Sequence, residues 1–316
     1  MHETRERDGD TAAGARIDVA VVGAGTAGLA AALMARRHRL DTVVFDGGPP
    51  RNAWAHEVHA YLGLSGVSGA DLKRLGCDQV RAVGGRIEAG EVVHARRKGD
   101  GFELETADGR RWRCRAVLLA TGVRDSYPEV GRFDEFFGTS VHVCPHCDAY
   151  EWRDQPIAVI SWNEDTRPYA LKFTDWTRDV TVVTDGRRPA LEPDEQRELA
   201  EHGIALVTAT IDRFEGDDGQ LTGLRLADGS LLPARAAFFN LGESHANELA
   251  HGLGVEIGDD ASIVTEEHGR TSVDGVWAAG DITGRDQFAS VAAAQGVVAA
   301  VDIYRALSAV DEQPEE

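Results

Sequence analysis

The segment that constrains this chain most is Gly23-Ala24-Gly25-Thr26-Ala27-Gly28. It follows Ile17-Asp18-Val19-Ala20-Val21-Val22, an apolar run that reads as a buried strand. It precedes residues 29–39, whose Ala and Leu content reads as a helix. A second short strand, Thr42-Val43-Val44-Phe45, ends at Asp46, completing one βαβ unit with parallel strands. In that setting a Gly-x-Gly-x-x-Gly is the pattern of a dinucleotide site. Gly23 permits the tight turn, Gly25 lets a pyrophosphate approach the backbone, and Gly28 lets the helix pack on the strand. The helix start at Thr26 and Ala27 offers N–H groups and positive partial charge to phosphates. Asp46, 18 residues after Gly28, is placed for ribose hydroxyls. The plain alternative is a Gly-rich turn with no ligand.

The chain has 316 residues, enough for two domains. Strands are expected at 102–106, 112–114 and 116–120, with Ala107-Asp108-Gly109-Arg110 as a hairpin turn. A second strand–loop–helix unit is expected from Ile157–Ile160 through a helix near 168–177 to Val180–Val183. A further hairpin brackets Ala227-Asp228-Gly229, and an Ala/Val helix runs from 290 to about 307. Residues 1–15 and 311–316 read as disordered tails. Lys+Arg number 33 and Asp+Glu 53, a formal charge of −20 that argues against nucleic acid and anionic membranes as partners. The apolar runs read as too short to cross a bilayer. The N-terminus is charged where a signal peptide is apolar, so a cytoplasmic location is expected.

Cys144-Pro145-His146-Cys147-Asp148 carries the chemistry. A C-x-x-C pair can close a disulfide within itself and lower a thiolate pKa. His146 can stabilise a thiolate or relay a proton. Two other readings stand beside this one. His142, Cys144, His146 and Cys147 are all zinc-ligand types, but four ligands within six residues crowd a tetrahedral site, so no metal is expected. A structural pair of buried thiols is the other. Cys77 and Cys114 read as inert core residues.

Taken in order, the dinucleotide motif, the strand ending in Ala120-Thr121-Gly122, and Val276-Trp277-Ala278-Ala279-Gly280-Asp281 resemble the pyridine-nucleotide–disulfide oxidoreductases, from Ile17 to Leu307. The placement of the cysteine pair, followed by an acid, is similar to that in low-molecular-weight thioredoxin reductases. The resemblance implies an α/β fold of two Rossmann-like, three-layer ββα dinucleotide-binding domains, the second inserted in the first. Residues 16–122 and 242–310 would form a split FAD-binding domain, and 123–241 an inserted C-x-x-C domain with a degenerate NADPH-type fold. It implies FAD as cofactor and a homodimer. It places Gly280 and Asp281 on the ribityl or pyrophosphate part of FAD, and Gln287, Phe288 and Ala289 beside the flavin. Arg51 and Asn52 fall in a loop covering the flavin, with His56 and His59 as secondary candidates. It makes Cys147 the flavin-side thiol, Cys144 the substrate-side thiol and Asp148 an acid–base residue.

One departure from the family pattern redirects the function. A second Gly-rich loop should follow Ile157–Ile160, but the chain reads Ser161-Trp162-Asn163-Glu164-Asp165-Thr166. Side chains there block a pyrophosphate, and two acids repel it. The basic cluster expected after Val183 reads Thr184-Asp185-Gly186; Arg187 and Arg188 follow, either a shifted substitute or a solvated pair. No NADPH is therefore expected. This loss is similar to that in the FAD-dependent dithiol oxidases of gliotoxin-, holomycin- and romidepsin-type natural products, the holomycin (dithiolopyrrolone) type above all. That resemblance implies a small-molecule dithiol substrate, with electrons passing from Cys144–Cys147 to FAD to O2 and giving H2O2, in antibiotic biosynthesis and self-resistance. His146 and Asp148 are the candidates for deprotonating incoming thiols. Phe136, Phe137, Tyr150 and Trp152 either line the pocket or belong to the core. The alternatives are a thioredoxin reductase fed by NADPH or a donor such as ferredoxin, and a non-catalytic flavin redox sensor.

Overall fold

The structure is a computed structural model that describes residues 17–64 and 66–311. The tails expected at 1–15 and after 311 lie outside the described residues. The chain forms two compact units. The first takes the chain up to Gly48, then Leu75–Gly122 and from Ala246 on; the second takes Pro49–Arg74 and Val123–His245.

In the first unit the Ile17–Val22 strand pairs in parallel with Thr42–Asp46 on one side and with Arg111–Leu119 on the other. Arg86–Ala89 extends the parallel part beyond Thr42–Asp46. Gly101–Thr106 and Val92–Lys98 continue the sheet as an antiparallel hairpin, and Val276–Ala278 pairs in parallel with Arg111–Leu119. The Thr26–Arg37 helix and the Ala289–Asp311 helix pack together on one face, around Val19, Val21, Leu118 and Trp277. Small residues make that approach possible: a Cβ at Gly296 would run into the Ala27 carbonyl. The stretch 289–308 is in fact long and apolar enough to span a bilayer, contrary to the sequence reading. It packs Ala299, Ala300 and Ile303 into the core, and its Asp302 accepts from Trp277 Nε1 at 2.9 Å and pairs with Arg270 at 2.6 Å. That combination is the behaviour of a core helix.

The second unit holds a five-stranded parallel sheet in which Ile157–Ile160 lies between Val180–Val183 and Ala236–Phe239. Val141–His142 flanks Ala236–Phe239 at one edge. A three-stranded antiparallel sheet, 211–233, and a short pair, Val123–Asp125 with Glu243–His245, complete it.

Several boundaries differ from the sequence reading. The two strands expected at 112–114 and 116–120 are one, Arg111–Leu119, because Arg115 stays extended and reaches Asp18 at 3.2 Å. The helix near 168–177 is Thr166–Lys172 followed by a 3-10 turn. The larger correction concerns 49–74, expected within the FAD-binding domain. It packs with the second unit: the Gly138 α-carbon abuts the Trp54 carbonyl with no room for a Cβ, His56 N–H donates to Gly138 O at 3.1 Å, and the Trp54 ring meets Phe137. Arg51 and Asn52 therefore belong to that unit. Arg51 Nε donates to Asp125 Oδ2 at 2.7 Å and its Nη2 pairs with Glu243 at 3.0 Å.

Candidate active site

The turn after Ile17–Val22 is built by exclusion. Gly23 sits at φ +111°, and a Cβ there would collide with the Ala120 carbonyl; a Cβ on Gly28 would collide with the Gly23 carbonyl. Gly25 is different. It caps the Thr26–Arg37 helix from extended backbone, and its Cβ position faces open space. No acid occupies the first turn of that helix. The result is a helix N-terminus free of acids with open space at its capping residue, the arrangement that accepts a phosphate. Ala120-Thr121-Gly122 adjoins it; the Thr121 hydroxyl donates to the Ala246 carbonyl at 3.1 Å. Gly280, at φ +84°, places its N–H on Gln295 Oε1 at 2.6 Å and presents Asp281 at the start of a 3-10 turn. Asp46 ends its strand and accepts from Gly48 N–H at 3.1 Å. Gln287 and Phe288 precede the Ala289–Asp311 helix. Sequence reasoning missed Asn247. It is buried, and its Oδ1 has no hydrogen-bond partner among the described residues. No local pattern announces it; Trp112 Nε1 and His245 Nε2 are likewise without a hydrogen-bond partner among the described residues. Open space at Gly25 and a helix start free of acids fit a bound dinucleotide cofactor.

A paired substitution separates the two glycine roles. Gly23→Ala is expected to cost roughly 2 kcal/mol or more, read as a lower urea midpoint. Gly25→Val is expected to leave that midpoint nearly unchanged while the purified protein loses most of its flavin absorbance.

In the second unit, Val141–His142 delivers the chain to Cys144, which caps the Pro145–Asp148 helix with Pro145 in its first turn. Cys144 and Cys147 are joined as a disulfide, their α-carbons 5.3 Å apart. Cys147 N–H donates to Cys144 Sγ at 3.2 Å, a contact that favours a thiolate once the bond opens. The Tyr169 hydroxyl donates to the Val143 carbonyl at 2.6 Å and steadies the approach to Cys144.

Asp148 is largely buried, and burial pushes its carboxyl up to about 7; His59 opposes the effect and Glu151 adds to it. Beside it lies His142, whose Nδ1 is 3.7 Å from Asp148 Oδ2. Trp152 Nε1–H donates to His142 Nε2 at 3.1 Å. An indole only donates, so that imidazole nitrogen is an acceptor and the proton sits on Nδ1. Burial pushes His142 down to about 3. The sequence reading considered His142 only as a zinc ligand; among the described residues no metal-binding cluster forms. His146 is exposed, its ring edge-on to Trp176. Of the aromatics, Phe136 is core, Trp152 serves His142, and Tyr150 is exposed under Arg153.

The loop after Ile157–Ile160 is closed on itself. Ser161 Oγ shares a hydrogen bond with Thr166 Oγ1 at 2.8 Å and donates to the Asn240 carbonyl at 3.1 Å. Asn163 Nδ2 donates to the same carbonyl at 3.2 Å. Arg187 stacks over Trp162, 4.6 Å from the ring centre.

Residues 17–296 match the pyridine nucleotide-disulphide oxidoreductase family. The chain belongs to that family. A thioredoxin reductase of Mycolicibacterium smegmatis is 31% identical over 93% of this chain and 97% of its own length. Among solved structures, HlmI superposes with a TM-score of 0.88 and 32% identity over 94% of each chain. The putative thioredoxin reductase TrxB from Bacillus anthracis gives 0.84 and 29%, over 93% of this chain and 99% of its own. The fold is thus the low-molecular-weight thioredoxin reductase architecture. Thioredoxin reductase relatives are FAD-binding flavoproteins, and disulfide redox chemistry is the activity of this family.

Proposed function

We propose that this oxidoreductase is an FAD-dependent dithiol oxidase that closes an intramolecular disulfide in a small dithiol natural product and delivers the electrons to O2 as H2O2. The observation that carries the reading is the filled loop at 161–166. Where a pyridine nucleotide would need bare backbone N–H groups, Ser161, Asn163 and Thr166 bond to one another and to Asn240. The glycine-free loop gives NADPH no cradle, so we read the electrons as entering through sulfur. The sequence resemblance to holomycin-type oxidases and the likeness to HlmI support the same direction. The reading carries with it a cytoplasmic homodimer, the usual form of thioredoxin reductases.

FAD would be held by the N–H groups at Gly25, Thr26 and Ala27, by Asp46 and Asp281, and by the 287–289 segment; when bound, it takes up an electron pair and passes it to dioxygen. The chain's own residues do the rest. Asp148, poised near 7, takes the proton of an incoming thiol. The thiolate attacks Cys144 Sγ; the Cys144–Cys147 bond breaks and a mixed disulfide forms. The second substrate thiol attacks the substrate sulfur of that mixed bond, now an intramolecular step, and the cyclic disulfide leaves. The pair is left as a dithiol two electrons richer. Cys144 is stabilised as a thiolate by the Cys147 N–H.

Anaerobic titration of the flavin absorbance tests the reading. NADPH is expected to leave the oxidised spectrum in place, whereas a reduced dithiolopyrrolone bleaches it and, in air, yields one H2O2 per disulfide formed. Stoichiometric bleaching by NADPH within the turnover time would sink the proposal in favour of a reductase.

A further inference from the structure

A dinucleotide cofactor brings a negatively charged diphosphate, and backbone N–H groups at a helix start are its first donors. In the first unit a side-chain amide stands at the same point. Gln295, on the Ala289–Asp311 helix, is half-buried, and its Oε1 accepts from Gly280 N–H at 2.6 Å.

Two close approaches locate this amide. The Gly280 α-carbon lies against Ala27: a Cβ there would stand 2.9 Å from the Ala27 Cβ. The Gly296 α-carbon, next in the chain after Gln295, lies against the Ala27 carbonyl, where a Cβ would stand 2.1 Å from the oxygen. Gln295 is thus held between two points of contact with the second residue of the Thr26–Arg37 helix, the helix whose first turn carries no acid. The Gly280–Asp281 turn and the helix start that suits a phosphate meet at this amide.

The Gly280 carbonyl is already satisfied by Thr283, whose N–H and Oγ1 both donate to it at 2.9 Å. Holding the Gly280 N–H requires an acceptor and nothing more, and a carboxylate would do that more strongly. Gln295 supplies two N–H donors besides. Among the described residues nothing accepts from its Nε2. The bond lengths of an amide keep that Nε2 within about 5 Å of Gly280 N. A neutral donor is what this place calls for. It adds to the N–H groups that stabilise a phosphate, whereas a carboxylate would meet the phosphate with like charge.

We propose that Gln295 is a cofactor-binding residue, its Nε2 donating to the diphosphate of FAD while its Oε1 fixes the Gly280–Asp281 turn. The proposal rests on FAD binding, which goes with the family, and not on the dithiol oxidase reading.

The test uses the full-length holoenzyme and its Gln295→Glu and Gln295→Leu variants. Release of FAD on dilution is followed by flavin fluorescence, and the bound diphosphate by phosphorus NMR. Gln295→Glu keeps an acceptor for Gly280 N–H and loses the donor. It is expected to release FAD roughly 10- to 100-fold faster and to shift the diphosphate resonances. Part of that difference should close at about 0.5 M KCl, where like charges are screened. Gln295→Leu brings no charge; it should also release FAD faster and shift the resonances, with little response to salt. Release from Gln295→Glu at the wild-type rate overturns the proposal, because an acceptor alone then suffices. Faster release from either variant with unmoved diphosphate resonances overturns it too, since the amide then serves something other than the diphosphate. Where Gln295→Glu yields no soluble holoenzyme, Gln295→Leu decides, and release at the wild-type rate is the overturning result. Peroxide formation by the wild type is read separately and bears on the oxidase reading alone.

Discussion

Cys144→Ser and Cys147→Ser are each expected to lower dithiol oxidation by roughly 10³-fold or more. A serine oxygen cannot form the exchangeable bond, and the two sulfurs act as one unit, so the double substitution should cost little beyond either single one. The two variants should nevertheless fail differently. With Cys147 replaced, Cys144 can still be captured by the symmetric disulfide of a monothiol analogue as a mixed disulfide, and neither the analogue nor a neighbouring cysteine then supplies a thiol to release it. Intact-mass measurement should then show the monothiol's mass added to Cys147→Ser and not to Cys144→Ser. An adduct only on Cys144→Ser would exchange the two roles. Turnover retained by either variant would remove the pair from the mechanism. Stability is not the explanation to expect: a disulfide spanning three residues closes a loop too short to restrict the unfolded chain much.

What the sequence disclosed, and what it did not, follows from the range of the forces involved. Gly23, Gly25 and Gly28 were legible as a local pattern of spacing, although only Gly28 answers a sequence neighbour, the Gly23 carbonyl; Gly23 meets the Ala120 carbonyl and Gly25 faces open space. Cys144 at a helix start and the glycine-free loop at Ser161 were legible as local patterns too. The 49–74 segment was not legible. Its attachment runs through single carbonyls, Trp54 against Gly138 and Gly138 accepting from the His56 N–H, which leave no periodicity in the sequence. His142 was equally silent: its protonation state is set by Trp152, ten residues away across a strand, a tight helical turn and a 3-10 turn. The apolar 289–308 stretch misled in the other direction. Its composition suits a lipid or a core alike, and Ala299, Ala300 and Ile303 packed in the core, with Arg270 and Trp277 closing on Asp302, distinguish the two.

Asp148→Asn is expected to trade activity against stability, and the two changes should share one pH window. As a base with a carboxyl near 7, Asp148 should give the wild type a rate that rises as pH passes through about 7. An amide cannot take a proton, so the variant should lose roughly 10²–10³-fold in rate, and that rising limb with it. The fold responds oppositely. Burial raises the folded-state pKa above the ordinary carboxyl value of 3.8, so the folded chain is unpenalised below about 3.8 and loses stability as pH climbs through about 7. An uncharged amide removes that loss. Calorimetry should find Asp148→Asn and wild type melting together near pH 4. Above pH 7 the variant should be the more stable, by at most about 4 kcal/mol. His142, held down to about 3, runs the other way: its contribution is present above 6.5 and lost as pH falls toward 3. Because both proteins keep His142, that effect cancels in their difference. An Asp148→Asn protein that melts below wild type at pH 8, or that keeps the rising limb, would show that the carboxyl is held ionised by partners and is not the base poised beside Cys144.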